Sequence, residues 1–335
     1  MKNYQIQLAS TPEAQPEPDH FKLVEGVVPE PTSRQVLCET LYLSLDPYMR
    51  SQIAGRYITE SIKPNDLMRG ETISKVIKSG HPDFRAGDVV RCQGNWQQYS
   101  LHEATELTKQ SDSINPSSYG LSVLGMPGLT AYAGLHWLAE VKEGDVVVVP
   151  AATGAVGSVV GQLAKLRGCK VVGLVGSNDK CRYAVEKLGY DACINRKTEN
   201  VSEKLDEHCS KGVDIYFDLV GGEILNLVCT KLAVGARVIL CGLMADYNST
   251  VPTPGPLPGP LIGARATVKG LVVYDFEDRR EEFIQACLPY INDGHLSMQE
   301  DMSIGIESAP DAFCRLMRGE NQGKTIVKVK ERLTD

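Results

Sequence analysis

The stretch 145–177 constrains the fold of this chain more than any other part of the sequence. It begins with the uninterrupted apolar run 146–149, which is typical of a strand buried on both faces of a parallel sheet. A turn containing Gly154 and Gly157 follows, and then a helical stripe of apolar residues and a second apolar run over Lys170–Val175. Strand, glycine turn, helix and strand within about thirty residues predict a βαβ unit.

The turn between the first strand and the helix has the pattern A-x-x-G-x-x-G over 151–157. Alanine therefore stands where the usual dinucleotide fingerprint G-x-G-x-x-G has its first glycine. Glycines at 154 and 157 let a pyrophosphate approach the backbone, and the N-terminus of the next helix offers unpaired N–H groups and a positive dipole end. Many α/β proteins have such turns for packing alone. Because both strands and the helix accompany this one, the sequence predicts nucleotide binding.

The length and charge of the chain limit the classes of function. Its 335 residues suffice for two domains, and hydrophobic and charged contents of 42% and 23% are ordinary for a globular protein. A net charge of -7 argues against a nucleic-acid partner. No apolar run approaches the ~20 residues of a membrane span, and the first twenty residues are too polar for a secretory signal. We therefore expect a cytoplasmic protein that does not associate with membranes.

The cysteines and histidines predict no metal site. None of the ten cysteines lies in a C-x-x-C pair, and no cluster has the spacing of zinc ligands. The six histidines are scattered, and His136, within an apolar stretch, is expected to be packed rather than catalytic. We expect structural thiols in a reducing compartment.

The chain changes character near residue 122. Residues 1–122 carry short β-type runs broken by turns and predict an irregular, mainly antiparallel domain. Alternating strands and helices over 123–300 predict a doubly wound parallel sheet, with ligand at the carboxyl ends of its strands. Residues 301–335 are expected to return to the first domain. The predicted strands of the first part are 36–41, 72–78, 88–92 and 96–101.

Within the alternating part, the segment 251–260, VPTPGPLPGP, is predicted to be neither a helix nor a central strand. It is either a rigid spacer or the wall of a pocket. The predicted helices are 129–138, 179–188 with Asn178 or Asp179 as its cap, 223–232, 281–291 and 310–317. The predicted strands are 146–149, 170–175, 192–195, 214–220, 237–242, 267–273 and 324–330.

The residues after the second strand of the βαβ unit favour NADP over NAD. An acidic residue that binds the ribose hydroxyls indicates NAD at this position, and here the strand is followed by the small residues Gly176 and Ser177. Ser177, Lys180 and, after the next strand, Arg196 supply a hydroxyl and two cations for a ribose phosphate. Asp179 could instead be the acid that binds the ribose hydroxyls of NAD, although as a helix cap its side chain would point away from the ribose. Alternatively, Lys180 and Arg196 are solvated surface residues that bind no phosphate.

Four segments in order resemble one family over nearly the whole chain. They are LDPYMR at 45–50, GMPGLTAY at 125–132, GAVGSVVGQ at 154–162 and NQGKTIV at 321–327. The chain resembles the medium-chain dehydrogenases/reductases, and within them the zinc-independent group of prostaglandin reductases, alkenal double-bond reductases and bacterial curcumin reductases. The resemblance implies an α/β protein with a GroES-like irregular β domain and a Rossmann doubly wound parallel sheet domain. It also implies NADP as the cofactor and no metal.

The resemblance also assigns residues to the cofactor. Those expected to contact it are Gly154, Ala155, Val156, Gly157, Ser177, Lys180, Arg196, Cys241, Gly242, Tyr247, Leu271, Val272, Val273 and Asn321. The family usually has tyrosine in place of Arg196 and asparagine in place of Leu219. The glycine-glutamate pair at 70–71 lacks the histidine of the zinc branch.

The reaction implied is hydride transfer from NADPH to the β-carbon of an α,β-unsaturated ketone or aldehyde. Charge develops on the carbonyl oxygen, and because no metal is implied, positioned hydrogen-bond donors must stabilise it. Tyr247 is the first candidate and Tyr48 the second, since a phenol is a neutral donor near pH 7. Most of the thirteen tyrosines are expected merely to pack. The expected substrate pocket comprises Tyr48, Tyr57, Met126 and Tyr274.

Three other functions remain open from the sequence. A sister branch with the same cofactor fold reduces quinones, and some members of the group oxidise secondary alcohols of lipid mediators. A non-catalytic, NADPH-binding relative is the alternative outside enzymes. The resemblance further implies a homodimer joined through the nucleotide domains.

Overall fold

The computed structural model describes residues 1–56, 58, 60–251 and 253–330. Its strands are β1 (Lys2–Leu8), β2 (Phe21–Val27), β3 (Gln35–Ser44), β4 (Thr72–Ser79), β5 (Val89–Cys92), β6 (Tyr99–Glu103), β7 (Thr108–Lys109), β8 (Val146–Pro150), β9 (Lys170–Val175), β10 (Ala192–Asn195), β11 (Val213–Asp218), β12 (Leu232–Leu240), β13 (Thr267–Gly270), β14 (Glu300–Ile304) and β15 (Lys324–Lys328). Its α-helices are α1 (Tyr48–Ile53), α2 (Met126–Tyr132), α3 (Gly157–Leu166), α4 (Asn178–Glu186), α5 (Val201–His208), α6 (Gly222–Cys229), α7 (Pro258–Ala264), α8 (Arg280–Asn292) and α9 (Ala309–Arg318).

The chain divides into two compact units. The first unit comprises residues 1–122 and 299–335, and the second comprises 123–298. In the part of the chain that the structure describes, every helix is too short or too polar to cross a bilayer.

The second unit is built on a parallel sheet with the strand order β10-β9-β8-β11-β12-β13. Every pairing in it is parallel. In chain order this is 3-2-1-4-5-6, the doubly wound arrangement whose order reverses between β8 and β11. Ligands of such sheets bind beyond the carboxyl ends of the strands at this reversal, where the glycine turn 151–157 lies. The predicted Rossmann fold is confirmed.

Several predicted elements of the second unit have different bounds. The predicted helix 129–138 is α2 followed by a π-helical segment, Ala133–Leu138. The helix predicted over 223–232 ends at Cys229, because Leu232 already pairs with Val213 of the neighbouring strand and opens β12. Pairing within the sheet outweighs the helical periodicity there.

The proline-rich segment 251–260 was predicted to contain no helix, and this is wrong for its last three residues. α7 begins at Pro258, with proline in its first turn. The first N–H groups of a helix have no intrahelical acceptor, so proline costs no hydrogen bond there. Predicted strand 267–273 also ends early, at Gly270, and a 3-10 helix, Val273–Arg279, follows.

The first unit is the expected irregular β domain. Its large sheet runs β14-β15-β3-β4-β5-β7, with β6 also on β3. All of these pairs are antiparallel except β14 with β15. The hairpin β1–β2 and the edge strand β14 were not predicted from the sequence. Phe21 stacks on Trp96 with ring centroids 5.7 Å apart, and Phe313 of α9 packs edge-on against both.

Candidate active site

The glycine turn after β8 forms a cradle of unpaired backbone donors. A Cβ atom on Gly157 would lie 2.4 Å from the Ala151 carbonyl oxygen, so only glycine fits there. Within the described residues, the N–H groups of Ala155, Val156 and Gly157 have no backbone acceptor. These donors lie at the N-terminus of α3, whose dipole end is positive. The turn therefore suits a pyrophosphate.

A buried tyrosine that was not predicted to have a role, Tyr190, hydrogen-bonds to the backbone of this turn. The hydroxyl of Tyr190 donates to the Gly157 carbonyl at 2.7 Å and lies 3.4 Å from that of Ala152. A Cβ on Gly161 would lie 2.2 Å from the Tyr190 ring, so this glycine admits the ring against α3. Burial raises the pKa of Tyr190 well above its ordinary value, which keeps the phenol a neutral donor. Its only sequence signal is an aromatic residue directly after a helix-ending glycine.

The predicted cap of α4 was Asn178 or Asp179, but Ser177 caps the helix. The Ser177 hydroxyl oxygen accepts a hydrogen bond from the Lys180 backbone N–H at 3.3 Å. Its own O–H remains available as a donor. Asp179 forms an ion pair with Arg182, and both of these side chains are mostly exposed. Asp179, the acid that would indicate NAD, is thus paired with a residue of its own helix.

Two cations follow β10 at the same edge of the sheet. The backbone N–H of Arg196 donates to the Val175 carbonyl at the end of β9, so the ends of the two strands are adjacent. A methyl group on Gly176 would lie 3.4 Å from Lys197 Cε and 3.9 Å from Arg196 Nη2. Lys197 is a residue that the sequence analysis missed, although it directly follows Arg196.

Buried Asn195 organises the turn that carries these cations. Its side-chain amide donates to Asn178 Oδ1 at 2.7 Å, and its Oδ1 accepts from the Lys197 backbone N–H at 3.1 Å. The Asn195 side chain thereby joins the β10 turn to the start of α4. Ser177, Lys180, Arg196 and Lys197 are therefore brought to one edge of the sheet.

The ends of β11 and β12 are held together by Asp218. Its carboxylate, completely buried, accepts from the Tyr216 hydroxyl at 2.9 Å and from the backbone N–H groups of Val220 and Gly221. Its carbonyl oxygen accepts from the N–H groups of Cys241 and Gly242. Burial raises the pKa of Asp218, although these donors oppose the shift. Cys241 and Gly242 consequently lie beyond the carboxyl end of β12, which ends at Leu240, so the predicted strand 237–242 extends two residues too far.

The segment after β13 lies next to this point. The Leu271 N–H donates to the Leu240 carbonyl at 2.9 Å, and the Leu271 side chain is buried. Val272 and Tyr274 are 38% and 39% exposed, and Val273 opens the 3-10 helix. The exposed apolar side chains can cover a flat ring bound at this edge.

Tyr247 lies in the loop after β12 and is half-buried. Burial raises its pKa, and a hydrogen bond with the Leu243 backbone partly offsets this. The phenol is therefore protonated at neutral pH and can donate. Burial likewise raises the pKa of the Cys241 thiol to about 12, so this neighbour is an inert thiol.

The remaining predicted residues are distributed over both units. Met126 is the first residue of α2, and both Met126 and Tyr274 belong to the second unit. Tyr48 opens α1 and Asn321 precedes β15, both in the first unit. Tyr57 lies outside the described residues.

Over residues 1–56, 58, 60–251 and 253–330, no three His, Cys, Asp or Glu side chains gather in a way that could hold a metal ion. Glu71, in the glycine-glutamate pair that lacks the histidine of the zinc branch, forms a 2.6 Å ion pair with Arg91. His136 packs against the Tyr132 ring at 4.4 Å between centroids, and burial lowers its pKa to about 4. His136 is thus packed, as predicted.

Known proteins are similar to this chain over nearly its whole length. Residues 4–110 match the family described as the N-terminal domain of oxidoreductase, and residues 155–288 match the one described as zinc-binding dehydrogenase. The chain is 39% identical to the NADPH-dependent curcumin reductase of Escherichia coli (strain K12), covering 98% of this chain and 97% of that protein. It is also 39% identical to prostaglandin reductase 1 of Bos taurus, covering 92% and 93%.

A solved structure is similarly close. The crystal structure of CurA from Vibrio vulnificus in complex with NADPH matches with a TM-score of 0.93 and 38% identity, covering 98% of this chain and 100% of that one. The identity and coverage extend over both units. The chain therefore belongs to the medium-chain dehydrogenase/reductase family, in the group that contains prostaglandin reductase 1 and the curcumin reductases.

Proposed function

We propose that this protein is an NADPH-dependent reductase of the carbon–carbon double bond of α,β-unsaturated ketones and aldehydes. One edge of the sheet carries the proposal through two features. These are the unpaired N–H groups at 155–157 and the cations Arg196 and Lys197 beside Gly176. Together these features fit a dinucleotide that bears an additional ribose phosphate. NADPH, when bound, supplies the hydride. The relatives named for curcumin and prostaglandin reduction support the substrate class.

The residues of the glycine turn, 154–157, would hold the pyrophosphate through backbone donors. Ser177, Lys180 and Arg196 would hold the ribose phosphate, since a hydroxyl and cations suit a dianion. Lys197 joins this set on the structural evidence. The nicotinamide half would be lined by Cys241, Gly242, Tyr247, Leu271, Val272, Val273 and Asn321.

Tyr247 would stabilise the oxyanion that develops on the substrate carbonyl. Its half-buried, protonated phenol is a positioned donor that needs no metal. Tyr48 would contact the substrate or donate a proton to it, and Tyr57, Met126 and Tyr274 are the other residues expected to contact the substrate.

The function is tested by following NADPH consumption at 340 nm with enones and alkenals of graded length and bulk. We expect turnover of the unsaturated compounds, none of their saturated counterparts, and a product saturated at the former double bond. A simple quinone is assayed in parallel. Turnover of the quinone alone, or an allylic alcohol as the product, would contradict the proposal.

Tyr247→Phe tests the role of the phenol. We expect kcat to fall by roughly 10²–10³, the usual cost of removing one oxyanion donor, and NADPH affinity to fall by much less. Tyr290→Phe, at a 40% exposed position on α8, is the matched control. Turnover within a few-fold of wild type would remove Tyr247 from the chemistry.

We further propose a cytoplasmic homodimer whose partner molecules are small unsaturated carbonyl compounds, not nucleic acid. The ten cysteines are all free thiols, which suits a reducing compartment. The acidic balance of the chain disfavours nucleic acid. Strand β13 lies at one edge of the parallel sheet, and Val268 on it and Ile262 on α7 are exposed. An uncovered apolar edge is suited to pairing with a second copy.

A further inference from the structure

A buried ion pair in the first unit is not explained by the function proposed above. The Lys324 ammonium lies 2.6 Å from Asp46 Oδ1, and the two side chains are only 1% and 5% exposed. Lys324 Nζ also donates to the Leu45 carbonyl at 2.8 Å, and the Ser44 hydroxyl donates to the second carboxylate oxygen of Asp46. The carboxylate is thus bonded on both of its oxygens.

The pair joins the two segments that carry Tyr48 and Asn321. Asp46 lies two residues before Tyr48, which opens α1, and Lys324 lies three residues after Asn321. The backbones meet at the same place, because the Leu45 N–H donates to the Thr325 carbonyl at 3.2 Å. The partners are 278 positions apart in the sequence.

The backbone around Asn321 is tightly defined. The Asn321 side-chain amide donates to the Gly323 carbonyl at 2.8 Å. Gly323 has φ +79°, and a Cβ there would lie 2.0 Å from the Gln299 carbonyl oxygen. Displacement of Lys324 would therefore be transmitted to Asn321 through a short and stiff connection.

Stability alone does not account for two charges at this depth. Desolvation of a buried pair offsets most of its Coulombic gain, and apolar side chains of similar volume often replace such a pair without loss of stability. What apolar replacements cannot reproduce is the set of directed hydrogen bonds to the Leu45 carbonyl and the Asp46 carboxylate. The pair thus contributes more to the path of the backbone than to the stability of the fold.

We propose that Lys324 and Asp46 are positioning residues, which together fix Tyr48 and Asn321 for the reaction. The proposal rests on the proposed function, because it assigns Tyr48 to the substrate and Asn321 to the nicotinamide. It predicts that stability and catalysis separate when both charges are removed.

The test compares Lys324→Met, Asp46→Leu and the double variant with Lys109→Met. Lys109 forms a 2.8 Å ion pair with Asp88 in the same unit, but its side chain is 51% exposed. Each single variant leaves one charge buried and unpaired, so we expect Tm to fall by about 10 °C. The double variant should recover most of this loss, and Lys109→Met should change neither stability nor activity.

Catalysis should respond differently. In the double variant we expect kcat/KM for an enone to remain about 100-fold below wild type, as for a misplacement of about 1 Å. NADPH affinity should weaken less, since the glycine turn and the phosphate ligands lie in the second unit. A double variant that recovers both Tm and kcat/KM would show that the pair is merely structural and would overturn the proposal.

A second readout does not depend on turnover. In protein labelled with 3-fluorotyrosine, the fluorine resonance that disappears in Tyr48→Phe identifies Tyr48. We expect this resonance to shift or broaden in the double variant and to stay unchanged in Lys109→Met. An unchanged resonance in the double variant would overturn the proposal. If it shifts while wild-type protein reduces no enone, the proposed function fails and the positioning of Tyr48 stands.

Discussion

At His136, the surroundings decide the protonation state. Burial, and secondarily the charge of Arg167, lowers the pKa of this histidine to about 4, whereas an unfolded chain has a value near 6.5. Between these values the unfolded state binds a proton that the folded state does not. Stability therefore falls as the pH drops from about 6.5 to 4, and this contribution is constant above pH 7.

We expect this histidine to cost about 2 kcal/mol of unfolding free energy at pH 4.5 relative to pH 7, allowing for partial exposure. Urea unfolding at the two pH values measures the loss. Between pH 7 and pH 4.5, the unfolding free energy of His136→Gln should fall by about 2 kcal/mol less than that of wild type. His295→Gln, at an exposed position, should lose as much as wild type. Parallel pH dependences for wild type and His136→Gln would contradict the assignment.

The preference for NADPH is also a matter of single residues. Lys180→Ala removes a cation next to the proposed ribose phosphate, and we expect NADPH affinity to fall roughly 10–100-fold, the value of a charged hydrogen bond. NADH affinity should stay within two-fold, because NADH lacks that phosphate. Lys187→Ala, just beyond the end of α4, is the control for charge. Equal losses for both nucleotides would mean that Lys180 maintains the fold and contacts no phosphate.

At the level of elements, the turn between β8 and α3 has a strained backbone at Ala151 and a close contact between Gly157 and the Ala151 carbonyl. Ala151 has φ +50°, a left-handed conformation that costs a residue with a Cβ about 1–2 kcal/mol. Glycine would remove this cost but lose about 0.5–1 kcal/mol of entropy on folding. We expect Ala151→Gly to raise the unfolding free energy by about 0.5–1 kcal/mol, measured by urea denaturation.

The matched control for Ala151→Gly is Ala286→Gly in the interior of α8, where we expect a loss of about 1 kcal/mol. NADPH affinity should be retained in both variants. A loss of stability in Ala151→Gly would show that the left-handed turn is not strained.

For the whole molecule, the exposed edge of the parallel sheet predicts self-association. Light scattering should report twice the 36.6 kDa chain mass. Val268→Lys combined with Ile262→Lys places two charges on this edge, and because charged edges resist strand pairing, we expect the monomer mass. Val234→Lys, at a 67% exposed site at the other end of β12, is the control and should remain dimeric. A monomeric wild type would refute the proposed dimer.

Local patterns in the sequence were enough for much of the fold and of the nucleotide edge. The bounds of β9 and β10 were predicted without error, because apolar runs flanked by turn residues identify buried strands. The placement of Ser177 and Arg196 at one edge was predictable, since residues that follow parallel strands share that edge. Their contacts with a ribose phosphate, and that of Lys180, stay predictions. Hairpin β1–β2 was not predicted, because Leu23 and Val27 of β2 are exposed apolar residues and Gly26 lies between them, which leaves a weak pattern in that strand.

Contacts between distant positions were beyond reach of the sequence. The Tyr190 hydroxyl bonds Gly157 from 33 positions away, and Lys324 meets Asp46 across 278. A buried tyrosine or lysine has no local signature that names its partner, because burial and hydrogen bonding depend on which strands become neighbours. Periodicity and turn chemistry thus specified the order of the elements and the edge for the nucleotide, whereas folding in three dimensions selected the side chains that hold this edge, and Tyr48 and Asn321, in place.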